Sequence, residues 1–166
     1  MILVRNLKQT DKNKIFELGS KIFREEDEIP LLEKALFICV PELSFVAVEN
    51  KKIIGFTLVC KKMTNVYYSF LNKIPDCYEL AFLCISPSCQ GRGLGTQLLK
   101  ETLLAIFQIL NQFTCWLLVD RCNLGAIALY ERIGFRRWIE TPAEMTFIPG
   151  YIMGISYRTF LKKHKI

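Results

Sequence analysis

The segment from residue 79 to residue 120 constrains this chain most. It reads as a buried strand, a glycine-rich turn, an amphipathic helix and a second buried strand. The first strand is Glu79-Leu80-Ala81-Phe82-Leu83-Cys84-Ile85-Ser86, stopped by Pro87. The turn is Gln90-Gly91-Arg92-Gly93-Leu94-Gly95-Thr96. Residues 96–110 then place Leu98, Leu99, Leu103 and Ile106 at helical spacing, and residues 115–120 return as Cys-Trp-Leu-Leu-Val-Asp. The unit looks like a βαβ crossover, which pairs its strands in parallel with a right-handed connection. This unit calls for an α/β fold with a sheet covered by helices.

The rest of the pattern extends that sheet. Residues 2–5 read as a strand. Thr10 or Asp11 can cap a helix whose apolar face is Ile15, Phe16, Leu18, Ile22 and Phe23. A second short helix is expected from Pro30 through Leu31, Leu32, Ala35 and Leu36, since proline suits a first helical turn. Residues 45–49 and 53–60 should form a hairpin about Asn50-Lys51-Lys52. Residues 63–76 read as a polar and aromatic loop. Residues 124–133 form a helix stopped by Gly134, followed by strands over 135–140 and 151–157. The expectation is one domain over residues 1–166, with a mixed sheet of six to seven strands flanked by about four helices.

Composition narrows the function. The chain has 166 residues, is 51% hydrophobic and carries a net charge of +6. A basic balance favours anionic partners such as a phosphorylated cofactor. The lysines and arginines are spread along the chain, so nucleic acid is an unfavoured partner. The one dense basic run, Lys162, Lys163, His164 and Lys165, reads as a solvated tail. Seven cysteines and a single histidine include no C-x-x-C pair, so no metal site is expected. The cysteines read as reduced thiols of a cytoplasmic protein. The apolar stretch 103–119 is broken by Gln108, Asn111, Gln112 and Thr114, so no membrane span is expected.

The glycine-rich turn admits several readings. Unpaired amides at a helix N-terminus, with glycines that let backbone come close, suit a phosphate. A P-loop would need Gly-Lys-Ser/Thr, which is absent. A G-x-G-x-x-G fingerprint fails as well: counting from Gly91 the last position is Thr96, and from Gly93 it is Leu98. A purely structural turn remains open on spacing alone.

The order Gln90-x-x-Gly93-x-Gly95 resembles the Q/R-x-x-G-x-G/A motif of the GNAT N-acetyltransferase superfamily. The strand before it resembles that family's fourth strand. Downstream, Asn123-x-x-Ala126-x-x-x-Tyr130-x-x-x-Gly134-Phe135 is similar to a second family segment. The resemblance covers about residues 45–157. It implies a GNAT-like fold and acetyl transfer from acetyl-CoA directly to a primary amine in a ternary complex. The acceptor is open: a protein N-terminus, a lysine or a small amine. By the same resemblance, Gln90, Gly91, Arg92, Gly93, Leu94, Gly95 and Thr96 hold the pyrophosphate. Leu83, Cys84 and Ile85 bond the pantetheine arm, and Asn123 contacts the cofactor.

Two residues carry the chemistry in this reading. The distance from Glu79 to Gln90 matches the histone-acetylating branch of the family, which implies that Glu79 is the general base. The ribosomal-protein alanine acetyltransferase branch has a glutamate on its fifth strand where this chain has Leu118. Strand alternation puts Glu79, Ala81, Leu83 and Ile85 on one face. Tyr130 is implied as the general acid toward the leaving thiolate. Glu25-Glu26-Asp27-Glu28 would rim the acceptor pocket, and Tyr67, Tyr68 and Phe70 would wall it. A monomer or homodimer is expected. The alternative is a catalytically silent acyl-CoA-binding domain, which would need neither Glu79 nor Tyr130.

Overall fold

The computed structural model describes residues 1–23, 27–109, 114–142 and 149–165. Strand β1 (Ile2–Asn6) leads into helices α1 (Lys12–Ile22) and α2 (Glu28–Ile38). Strands β2 (Phe45–Glu49), β3 (Lys52–Cys60) and β4 (Cys77–Ile85) follow, then helix α3 (Leu94–Ile109) and strand β5 (Thr114–Asp120). Helix α4 (Leu124–Ile133), strands β6 (Arg136–Thr141) and β7 (Gly150–Ser156) and helix α5 (Tyr157–His164) complete the chain. The strands form one seven-stranded sheet in the order β1-β2-β3-β4-β5-β7-β6. Only β4 and β5 run parallel; the other neighbours are antiparallel.

Both faces of the sheet are covered. Ile15, Leu32, Leu36, Phe56, Leu58 and Phe82 pack under α1 and α2, while Leu99, Leu103, Ile106, Leu117 and Ile133 pack under α3 and α4. Strand β3 lies between the two layers and is buried from Ile54 to Cys60, which is why it reads as a continuous apolar run. Thr57 is the polar exception. Its hydroxyl meets the Thr102 hydroxyl of α3 at 2.8 Å and accepts the Phe45 N–H at 3.1 Å, so burial leaves no unmet partner.

Several boundaries depart from the sequence reading. The β2–β3 turn is the two residues Asn50 and Lys51, both at positive φ (50° and 64°), as a tight hairpin of this hand needs. Helix α2 starts at Glu28, so Pro30 is its third residue, still inside the first turn where no N–H partner is lost. The 63–76 loop contains a 3-10 helix over Val66–Lys73. Strand β7 ends at Ser156, whose side chain accepts the Thr159 N–H and starts α5. The basic tail is therefore a helix with one solvated face. Phe160 is buried, and His164 Nε2 lies 3.0 Å from the Ile133 carbonyl. Five α-helices are present among the described residues, against about four expected.

Two irregularities position the site. The β4–β5 ladder holds only Cys77↔Thr114, Tyr78↔Cys115 and Glu79↔Trp116. Beyond that rung the strands part, and β5 continues along β7 to Asp120. The second irregularity is a bulge in β4. Leu58 pairs with Phe82 and Val59 with Leu80, leaving Ala81 as the extra residue. This corrects the expected alternation. Glu79, paired with Cys60, shares the α1/α2 face with Phe82 and Cys84, whereas Leu83 and Ile85 face α3.

Candidate active site

The glycine-rich turn behaves as its sequence suggests. Gly91 and Gly93 adopt φ of 75° and 77°, and an added Cβ would meet nothing within 4 Å at either. Both facts suit a backbone that leaves room on its outer side. The first amide to find a helical carbonyl is that of Gln97, which donates to Gly93 O at 3.0 Å. Among the described residues the amides of Gly91 to Thr96 have no such carbonyl and sit at the positive end of α3.

In front of this turn lies a cleft of about 620 Å³. Leu83 and Ile85 form its floor, residues 90–91 and 93–96 one wall, and Asn123, Ala126, Leu129, Tyr130 and Arg132 the wall from α4. The split in the sheet opens into it. The Ser86 N–H donates to Ile54 O at 2.8 Å, and every second residue of an antiparallel ladder bonds its neighbour. Cys84, paired with Phe56, therefore turns its backbone toward β3, while Leu83 and Ile85 present theirs to the split. Gln90 Nε2 caps the Ile85 carbonyl at 3.3 Å. Of the three β4 residues expected along the cleft, Leu83 and Ile85 are there. The Cys84 side chain packs on the far face with Phe82 and Leu32.

Arg92 is also turned elsewhere. Its guanidinium forms a two-pronged pair with Glu49 of β2 at 2.9 and 3.2 Å and does not line the cleft. Asn123 caps α4, accepting the Ala126 N–H at 3.1 Å, and lines the cleft at the same time. Arg132 was not anticipated. It bonds the Thr96 hydroxyl at 3.3 Å and brings a cation to the cleft. Helical spacing could have found this wall, since Ala126, Leu129 and Tyr130 fall on one face from Asn123.

Tyr130 reaches the cleft from α4, with its ring packed on Phe135 at 5.7 Å. Burial pushes its phenol well above the usual range, so it stays protonated at neutral pH. Gly134 ends the helix with φ of 122°, and the Phe135 N–H returns to Tyr130 O, which places that ring.

Glu79 lies across the sheet, where the strands part. It is 3% exposed. Thr64 holds both carboxylate oxygens: its N–H donates to Oε2 at 2.6 Å and its hydroxyl to Oε1 at 3.0 Å. Burial pushes the Glu79 carboxyl up to about 7, against the Thr64 bonds and the Lys34 cation, which act downward. Strand β4 begins at Cys77, so Glu79 is its third residue and not its first.

A smaller pocket of about 170 Å³ opens beside Glu79. Glu28 of α2 and its N-cap Asp27, with Thr64, Leu118 and Asp120, line it as well. Glu25 and Glu26 of the expected acidic rim lie outside the described residues. Tyr67, Tyr68 and Phe70 do not wall it. Tyr68 packs with Met63, Leu71, Trp116 and Ile152, and the other two rings are exposed. Thr64 had no signal in the sequence, being a loop residue placed only by tertiary contacts.

Comparison with known proteins agrees with this geometry. The model of the acetyltransferase (GNAT) family matches residues 12–135, and the chain belongs to that family. Spermidine N(1)-acetyltransferase of Escherichia coli (strain K12) is 40% identical over 88 residues, 50% of this chain and 47% of that protein. The chain thus spans about half the length of this relative. N-alpha-acetyltransferase RimI of Mycobacterium tuberculosis is 28% identical over 137 residues, 82% of this chain and 79% of that protein. In fold, the chain is similar to the PaiA N-acetyltransferase from Thermoplasma acidophilum, solved in complex with coenzyme A. The TM-score is 0.68 at 21% identity, over 95% of this chain and 99% of that one.

Proposed function

We propose that this chain is an acetyl-CoA-dependent N-acetyltransferase, one domain over residues 1–166, that transfers acetyl directly to a primary amine. One observation carries the reading. The sheet parts at Glu79↔Trp116, with the glycine turn and Tyr130 on one face and a buried carboxylate on the other. The two pockets so separated suit a donor and an acceptor that meet through the split.

The site fits coenzyme A in several respects. The free amides of the turn suit the pyrophosphate, and Arg132 adds positive charge. The backbone groups of Leu83 and Ile85 suit an extended amide-bearing arm lying in the split like a strand. Acetyl-CoA supplies an acetyl group activated as a thioester. Asn123 and Ala126 border the same cleft.

This chain's residues then handle the protons. A lysine-like amine with pKa ~10.4 costs about 4.6 kcal/mol to deprotonate at pH 7. Glu79, near 7, accepts a proton from the amine, directly or through one water. The new N–C bond forms as the C–S bond breaks. Tyr130, held protonated, gives its proton to the departing sulfur.

The acceptor pocket favours small polycationic amines. Among the described residues Asp27, Glu28, Glu79 and Asp120 line it, and no described lysine or arginine does. A second positive charge on the acceptor would meet carboxylates, on a protein whose net charge is +6. The free cysteines suit a reducing, cytoplasmic setting.

The test is thiol release from acetyl-CoA over a panel of di- and polyamines, monoamines and peptides with free N-termini. The expected result is turnover with the highest kcat/KM for diamines or polyamines. Acetyl-CoA binding without thiol release for any amine would overturn the enzyme reading in favour of a silent acyl-CoA-binding domain. Equal kcat/KM for monoamines and diamines would overturn the acceptor class alone.

A further inference from the structure

The residue that holds Glu79 is itself held from the other side. Thr64 lies in the connection between β3 and β4, outside every helix and strand, and is 4% exposed. Its N–H and hydroxyl engage both Glu79 oxygens, while its carbonyl accepts Lys34 Nζ at 2.6 Å. Next to it, the Met63 N–H donates to Asn72 Oδ1 at 2.7 Å. A short stretch of loop is thereby tied to α2 by Lys34 and to the 3-10 helix by Asn72.

This arrangement has a chemical consequence. Donors on both oxygens fix the plane of a carboxylate and favour its charged form. A nearby cation acts in the same direction. Burial acts in the opposite direction. Among the described residues, the groups around Glu79 are Lys34 and Glu28 from α2, Asp27 at its N-cap, Cys60 from β3, Cys77 from β4, and Cys115 and Asp120 from β5. Burial pushes up all three thiols, so they stay neutral across the working range. Among these groups Lys34 is the cation, and Thr64 supplies the donors.

We propose that Thr64 and Lys34 form a positioning clamp for Glu79. Thr64 fixes both carboxylate oxygens, Lys34 anchors Thr64, and together they set the pH at which Glu79 can take a proton from the acceptor. The proposal rests on the reading of Glu79 as the proton acceptor. Neither clamp residue is a catalytic residue; both act through Glu79.

The experiment is the pH dependence of kcat/KM from pH 5.5 to 9.5 for the wild type and five variants: Thr64→Val, Thr64→Ser, Lys34→Met, Lys34→Arg and Glu79→Gln. Thr64→Val removes one donor and Lys34→Met removes the cation. In both, the acid limb should move to higher pH by about 0.5–1 unit, the worth of one hydrogen bond. The plateau at high pH should stay within about threefold of wild type, because Glu79 is then deprotonated in every protein. Thr64→Ser and Lys34→Arg should keep the wild-type limb. Lys34 is exposed, so its variants test the clamp without disturbing a buried residue. An unmoved limb in Thr64→Val and Lys34→Met, or a lowered plateau with no movement of the limb, overturns the clamp. If Glu79→Gln loses the limb and the clamp variants do not move it, only the clamp falls. If Glu79→Gln keeps the limb, Glu79 is not the base.

Discussion

Glu79 and Trp116 form the last rung that joins β4 to β5. Past this pair the two strands diverge, so the carboxylate sits at the vertex of the opening in the sheet. The bulge at Ala81 then turns the strand. Glu79 is left on the α1/α2 face, while Leu83 and Ile85 face the cleft under α3. A buried carboxylate and the floor of the larger cleft thus come from one strand and line opposite pockets.

Burying Glu79 has a thermodynamic signature. Its folded-state pKa is raised, so its contribution to stability is fully present below the unfolded value near 4.5 and is lost as pH rises through about 7. The loss over that window is on the order of 3 kcal/mol. Glu79→Gln has no such loss. Its stability relative to wild type should rise between pH 5 and pH 8, as read by urea denaturation. A difference that is the same at both pH values would contradict a buried, raised carboxyl.

Tyr130→Phe removes the hydroxyl but keeps the ring that packs on Phe135. We expect kcat to fall on the order of ten- to a hundredfold, within the usual range for an acid–base group. The loss should not recover at high pH, because solvent hydroxide does not replace a proton donor. Acetyl-CoA affinity should change little. A wild-type kcat in a folded Tyr130→Phe would remove the hydroxyl from the mechanism.

At Gly93 the backbone itself sets the cost of substitution. With φ of 77°, Gly93→Val is destabilising before any ligand is considered, by about 1–2 kcal/mol for the left-handed conformation. Asparagine tolerates that conformation far better. Gly93→Asn should therefore melt closer to wild type than Gly93→Val does, yet bind acetyl-CoA at least about tenfold more weakly because a side chain now stands by the phosphate amides. Arg92→Ala should leave the affinity within about twofold, since this guanidinium is occupied by Glu49. Calorimetric titration beside thermal melts separates the two effects. Unchanged affinity in Gly93→Asn would make the turn structural only.

Much of this protein was legible in one dimension. The strand–turn–helix–strand unit, the hairpin about Asn50-Lys51 and the stop at Gly134 are local, and local chemistry dictates them. Helical spacing marked the buried side of α3, while glycine at positions 91, 93 and 134 permits the positive φ found there. Asn123 could be read both as a cap and as a cleft residue because both depend on its place at the start of α4. The C-terminal helix was hidden because its buried contact, Phe160 among Phe107 and Tyr157, stands alone in a basic run.

Tertiary structure decided the rest. Periodicity assigned Glu79 and Leu83 to one face, and a single extra residue paired against β3 put them on opposite faces; no pattern within β4 reveals its partner's register. Arg92 sits within the glycine-rich motif, yet Glu49, distant in sequence, holds its side chain. Thr64 reaches Glu79 from a loop, and Lys34 reaches Thr64 from a helix, and no spacing connects either to Glu79. The sequence by itself determined most of the elements, the glycine-rich turn and the family to which the chain belongs, since each depends on residues near one another along the backbone. Which faces Glu79 and Tyr130 occupy, and which neighbours set their charge, were decided only by strand pairing and long-range packing, because desolvation and hydrogen bonding act between residues that folding alone brings together.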